Sequence, residues 1–208
     1  MAKITRFAPK ISRKRESGDN LAPAAATAKD MQRAKKAAAP RDIKPMLATL
    51  VDTPFDNPDW IYEIKWDGYR VVSYLNRGKV EMRSRNNLPF NEKFRVIEDA
   101  LVQWGIKAVV DGEIVALDEH GYANFQQLQN VLKHRDDAHL VYYVFDILWY
   151  DGRDLTQLTL LERKEILKSI FPRNDDRLRY SDHIAGQGRA FLASAVKHGL
   201  EGHGKAGG

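Results

Sequence analysis

Apolar and polar residues change rhythm several times along this chain, and each rhythm predicts an element. From Ile61 to Val80 aromatic and β-branched residues crowd together, broken by Asp67-Gly68 and by Asn76-Arg77-Gly78. That stretch reads as strand, turn, strand, Gly-containing turn and a third strand near Val80–Ser84. Between Glu92 and Trp104, Phe94, Ile97 and Leu101 recur at helical spacing, with Gly105 as the stop. Lys107 to Leu117 reads as strands set around Asp111-Gly112, and Phe125 to Leu132 as a short helix. His139 to Tyr150 is apolar, β-branched and aromatic, which predicts a buried strand. Thr159 to Phe171 carries Leu160, Leu161, Ile166, Leu167 and Ile170 in helical register, with Lys164 and Lys168 on the other side. Leu178 to Ile184 is a weaker strand, and Arg189 to His198 a helix stopped by Gly199. Groups of strands with helices inserted predict an α+β domain with antiparallel sheets rather than a doubly wound one. No internal repeat is visible.

Composition changes this picture mainly at the start of the chain. The 208 residues are 43% apolar, enough for one sizeable core. No run approaches the ~18 apolar residues of a membrane span, and no early apolar stretch follows the basic start, so neither a membrane partner nor a secretory signal is expected. The absence of Cys excludes a disulfide framework and thiolate metal sites. The net charge of +5 is unevenly placed. Residues 1–45 hold twelve Lys and Arg against four Asp and Glu, a surplus of eight, which leaves −3 for the remainder. Rich in Ala and Pro, with a single aromatic residue (Phe7), this segment is expected to be disordered. It reads equally as a solubilising linker or as an arm that neutralises phosphates. The folded domain is expected to run from residue 46 to 208.

Candidate chemistry concentrates in Tyr62-Glu63-Ile64-Lys65-Trp66-Asp67-Gly68-Tyr69-Arg70. A lysine ends a strand, Asp-Gly turns the chain, and Arg70 opens the next strand facing back toward it. Glu63 and Lys65, two apart, share a face of the sheet, and charges placed toward a core need partners or a task. Lys-x-Asp-Gly-x-Arg arises by chance in roughly one chain per thousand of this size, taking ~1/20 for each fixed position. The six His residues form no i, i+4 pair, and no Gly-x-x-x-x-Gly-Lys-Ser/Thr phosphate loop occurs, which argues against a Walker-type NTPase.

This pattern resembles the nucleotidyltransferase motif of ATP-dependent DNA ligases, RNA ligases and mRNA capping enzymes. Further segments follow in the family's order: Ser84-Arg85-Asn86, then Asp111-Gly112-Glu113, then Phe145-Asp146, then Glu201-Gly202. The wording around them (PMLATLVDTPFDNPDWIYEIKWDGYR, DGEIVALDEHG, FQQLQN) most resembles the ligase domain of bacterial ligase D. The resemblance implies an ATP-grasp-like adenylation domain, a ligase of DNA repair and end joining, and a cytoplasmic, nucleoid-associated location. It makes Lys65 the nucleophile that takes AMP from ATP. It gives Glu63 a part in positioning adenine, Arg70 the sugar-phosphate side of the nucleotide, and Arg85 a phosphate or the nicked strand. Phe145 would stack on the base, while Glu113 would hold ribose or a metal ion and Glu201 would be a second metal-linked carboxylate. Oxygen ligands and phosphate substrates imply Mg²⁺. The expected partners are nicked or broken double-stranded DNA, end-joining repair proteins or a separate C-terminal ligase fragment.

The chain departs from the family pattern at its end. Glu201-Gly202 is followed by His203-Gly204-Lys205, so the lysine arrives one residue early and would face the other side of a strand. The last strands and the OB-fold domain are therefore expected to be missing, as in a prematurely ended or split ligase. Two alternatives stay open: an inactive DNA-binding remnant, and an RNA ligase or capping-type nucleotidyltransferase.

Overall fold

The computed structural model describes residues 8–9, 30–46, 53–134, 137–173 and 175–197. The strands in its first half are β1 (Ala8–Pro9), β2 (Lys35–Lys36), β3 (Asn57–Glu63), β4 (Tyr69–Asn76) and β5 (Lys79–Ser84). Those that follow are β6 (Lys107–Ala116), β7 (Leu140–Tyr150), β8 (Arg153–Asp154), β9 (Leu178–Tyr180) and β10 (His183–Gly186). Between them lie the α-helices α1 (Arg95–Trp104), α2 (Phe125–His134), α3 (Leu160–Ile170) and α4 (Gly188–Lys197), and residues 30–33 are helical too. A seven-stranded sheet has the order β2-β8-β7-β6-β4-β5 with β9 beside β7, and a three-stranded sheet has the order β1-β3-β10. β9 runs parallel to β7, and every other described pairing is antiparallel. The α+β class expected from the sequence is the class observed.

Local chemistry accounts for most of these elements. β4 and β5 are joined by Arg77-Gly78, both at positive φ (42° and 90°), the geometry that matches the twist of a two-residue hairpin. α1 ends where Gly105 takes φ 68°, and α3 begins at Thr159, whose hydroxyl and the Glu162 carboxylate form a reciprocal capping box. Lys107–Ala116 departs from expectation, because it is one ten-residue strand rather than two strands around a turn. Gly112 there answers to a close approach. A Cβ on it would lie 2.4 Å from the Tyr143 carbonyl oxygen and 2.5 Å from the Tyr142 ring.

The large sheet uses its two faces differently. Val71, Leu75, Val110, Ile114, Tyr142 and Val144 point to a core shared with Ile97 and Leu101 of α1, Leu128 of α2, and Ile166 and Leu167 of α3. Along β6 the alternate residues Val109, Asp111, Glu113 and Val115 face the other way. There Val109 joins an apolar cluster with Val72 and Trp149, and Val115 joins another with Leu117, Val141 and Tyr143. The two carboxylates therefore sit between two apolar patches on the face opposite that core.

Residues 30–45, expected within the disordered arm, lie along this sheet instead. Lys35 and Lys36 pair with Asp154 and Arg153, and Ile43 packs on the Val72–Val109–Trp149 cluster. Trp149 Nε1 donates to the Ala37 carbonyl at 2.8 Å, Arg153 to the Ala34 carbonyl at 2.9 Å, and Ile43 N–H to the Tyr74 hydroxyl at 3.0 Å. Composition missed this because the anchoring groups are mostly main-chain atoms, which Ala supplies as well as any residue.

Lys164 likewise departs from expectation. Predicted on the solvent side of its helix, it has no exposed surface, and the adjacent Arg163 is 7% exposed. The Lys164 ammonium donates to Glu63 Oε1 at 2.5 Å, to the Ser181 carbonyl at 2.8 Å and to the Phe145 carbonyl at 3.2 Å. One cation thus ties the end of β3 in the small sheet to β7 in the large one and to the β9–β10 connection. Lys164→Met withdraws the charge that balances a buried carboxylate and should destabilise the fold by about 3–5 kcal/mol. Adding Glu63→Gln should restore most of that loss, and urea midpoints of the single and double variants check both outcomes.

Candidate active site

The loop between β3 and β4 carries Lys65, and three contacts pin it. Gly68 lies so near β6 that a Cβ would come within 2.1 Å of the Ile114 carbonyl oxygen, so only glycine lets the loop sit there. The Gly68 N–H lies near enough to the Glu113 carboxylate to favour its charged form. Trp66 stacks on Tyr143 with ring centroids 3.5 Å apart and planes 13° from parallel, while its Nε1 donates to Ser181 Oγ at 3.0 Å. Lys65 itself is half-buried and close enough to Glu113 for their charges to interact.

Arg70, second residue of β4, stands opposite Glu113 of β6. Its Nε and Nη2 grip the two oxygens of Asp111 at 2.6 and 2.7 Å, a bidentate fork, and Nη2 reaches the Met46 carbonyl at 3.3 Å. The same guanidinium stands 4.5 Å over the ring of Phe145. Asp111 is paired across the sheet with Asp146, and Asp146 has its own fork from Arg163 at 2.8 and 3.0 Å. Two adjacent buried carboxylates are tolerable because each has a guanidinium of its own.

Among the described residues Glu113 has no such fork, and burial dominates its charge balance. Burial pushes its carboxyl up to about 7; Arg70 and then Lys65 pull it down, Asp111 raises it further and the Gly68 N–H lowers it. Among the described residues no group of three or more His, Cys, Asp or Glu could hold a metal ion. A single strand carboxylate such as Glu113 does fit Mg²⁺, which is commonly held by one or two carboxylates with phosphate oxygens and water completing its shell.

Of the residues singled out in the sequence, Lys65, Arg70, Glu113 and Phe145 meet on one face of the sheet. Glu63 is buried beside them and is joined through Lys164 to the Phe145 carbonyl. Arg85 is exposed in the turn after β5, whose last residue Ser84 pairs with Val71, next in sequence to Arg70. Glu201 lies outside the described residues. Sequence reasoning missed Arg163, Lys164, Tyr143 and Ser181. A signal for the first two was present: Leu160, Arg163, Lys164 and Leu167 follow the i, i+3, i+4, i+7 stripe, so two cations occupy the buried face of α3.

The family model described as ATP dependent DNA ligase domain matches residues 45–203. The chain is similar to the multifunctional non-homologous end joining protein LigD of Pseudomonas aeruginosa, 38% identical over 187 residues, covering 89% of this chain and 22% of that protein. It is also similar to LigD of Mycolicibacterium smegmatis, 33% identical over 172 residues, with 81% and 22% covered. Among solved structures, the ligase domain of M. tuberculosis LigD superposes with a TM-score of 0.59 at 29% identity, over 67% of this chain and 45% of that one. A mycobacterial DNA ligase D complexed with ATP and MES gives a TM-score of 0.55 at 28% identity, over 67% and 44%. The chain spans about a fifth of the length of these curated relatives. No helix among the described residues is long and apolar enough to cross a membrane. Because the matched span runs from before β3 to beyond α4 and takes in every residue placed at this site, the chain belongs to the ATP-dependent DNA ligase domain family.

Proposed function

We propose that this chain performs the nucleotide-transfer chemistry of an end-joining DNA ligase, with Lys65 as the nucleophile. The Lys65 amine, once deprotonated, attacks the α-phosphorus of ATP; a P–N bond forms, the bond to the β-phosphate oxygen breaks, and pyrophosphate leaves. The AMP then passes to the 5′-phosphate at a break in double-stranded DNA, and the 3′-hydroxyl displaces it to restore the backbone. The observation that carries this reading is the pinned loop. It keeps Lys65 near enough to Glu113 for their charges to interact, and Glu113 stands opposite Arg70, which Asp111 holds. Family membership, the end-joining names of the relatives and the ATP of one solved neighbour support it.

Each residue then has a task that follows from its setting. The Asp111 fork holds the Arg70 guanidinium in a fixed plane, ready to meet the sugar-phosphate side of the nucleotide. Phe145 offers a ring to the base, and Glu63, held by Lys164, borders the adenine position. Mg²⁺ bound with ATP would neutralise charge on the phosphates, with Glu113 and Glu201 as its protein carboxylates. Arg85, exposed at the rim, is suited to a phosphate of the nicked strand. End-joining repair proteins are the partners this reading expects, in the cytoplasm at the nucleoid.

Incubation with ATP and Mg²⁺ should add one AMP to the chain by intact-mass measurement, and Lys65→Ala or Lys65→Arg should abolish the gain. GTP in place of ATP should add nothing. Label from GTP alone would indicate a capping-type enzyme, and no label with salt-sensitive DNA binding would indicate a remnant.

Glu113 gives a second outcome of opposite sign for stability and activity. An unfolded glutamate ionises near pH 4.5 and the folded one near 7, so between these values the native state binds more protons than the unfolded state. Stability from this group therefore falls as pH rises through that window, at up to ~1.4 kcal/mol per pH unit. Glu113→Gln should remove this dependence and raise the unfolding midpoint at pH 7, while AMP transfer drops. Thermal melts from pH 4 to 8 alongside intact-mass assays check the pair.

A further inference from the structure

Lys65 is flanked on both sides by residues that one buried hub holds. Two positions before it, Glu63 accepts from the Lys164 ammonium at 2.5 Å. Immediately after it, Trp66 donates from Nε1 to the hydroxyl of Ser181 at 3.0 Å. The hub closes because the same ammonium also takes the Ser181 carbonyl at 2.8 Å. Its third proton goes to the Phe145 carbonyl at 3.2 Å, on the strand that borders the site. Lys164 is 0% and Ser181 1% exposed, so neither presents a surface to a nucleotide or to DNA. An ammonium has three N–H donors, and all three are in use.

Stability alone is a weak reason for this arrangement. A buried ion pair gains little over apolar residues of the same volume, because desolvation offsets most of the attraction. What the hub does provide is geometry: three acceptors fix the ammonium, and the residues on either side of Lys65 are tied to it, Glu63 directly and Trp66 through Ser181. We propose that Lys164 and Ser181 are positioning residues for nucleotide transfer, setting where the Lys65 amine stands without touching the nucleotide. This rests on Lys65 being the nucleophile. Transfer to a held amine is steeply sensitive to placement, since a displacement of ~1 Å can cost about 100-fold in rate.

The test is a time course of intact mass for the full chain at saturating ATP and Mg²⁺. Its amplitude counts folded molecules, and its rate constant reports how well those molecules are arranged. Lys164→Met removes the hub cation, and Ser181→Ala removes only the hydroxyl that holds Trp66, a change the fold should tolerate. Rate constants should fall roughly 10- to 100-fold for Lys164→Met and several-fold for Ser181→Ala. The ATP concentration giving half-maximal rate should stay unchanged in both. A purely structural role would lower amplitudes and leave rate constants at the wild-type value, which would overturn the inference. So would a half-maximal ATP concentration that rises in step with the loss of rate. If Lys164→Met yields no folded protein, the rate constant of Ser181→Ala decides alone. A wild-type chain that takes up no AMP, or AMP uptake that survives Lys65→Ala, removes the nucleophile reading and this inference with it. Normal wild-type labelling with unaffected variant rates removes the positioning role alone.

Discussion

An ammonium without any exposed surface needs acceptors for all its protons, and the fold converges three elements on Lys164 to supply them. β3 brings Glu63, β7 brings the Phe145 carbonyl, and the β9–β10 connection brings the Ser181 carbonyl. These elements belong to two sheets, so their meeting at one atom fixes how the small sheet stands against the large one. The loop holding Lys65 leaves β3 one residue after Glu63 and enters β4 at Tyr69, which means it spans the joint that Lys164 ties. The geometry of the candidate active site is in this sense downstream of a helix residue that sits outside it.

The same economy of charge governs the face of the sheet that carries Asp111 and Glu113. Asp111 and Asp146 are cross-strand neighbours and both buried, an arrangement that like-charge repulsion would forbid without Arg70 and Arg163. Each arginine is thereby fixed in plane and direction. For Arg163 the result is structural, since it also donates to the Leu158 carbonyl at the start of its own helix. For Arg70 it leaves a guanidinium beside Phe145 and Glu113 with its orientation already determined. Glu113 is the carboxylate that burial leaves near neutrality. A carboxylate in that condition costs stability when it ionises, and a neighbouring cation offsets that cost.

Much of the site was legible in the sequence because its residues lie in short segments where local rules and motif order apply. Lys65, Asp67, Gly68 and Arg70 fall within six residues of a strand–turn–strand, and Glu113 and Phe145 each follow from a neighbouring motif residue on its own strand. Strand and helix positions were readable for a similar reason, since periodicity is a local property. Gly112 was misleading: Asp-Gly in sequence signals a turn, yet here the missing side chain admits Tyr142 and the Tyr143 carbonyl from the next strand. The Ala-rich stretch before residue 46 carried no signal because its anchors are mostly backbone groups, whose capacity to bond is the same in every sequence.

By itself the sequence determined the α+β class, the family, and the grouping of Lys65 with Arg70, Glu113 and Phe145. Tertiary structure alone decided which charges are buried and with whom. Lys164 and Glu63 are separated by 101 positions in the chain and Arg70 and Asp111 by 41, and no periodicity links such pairs. Their pairing depends on how sheets and helix close on one another, and low dielectric gives each charge its partner only once that closure has excluded water.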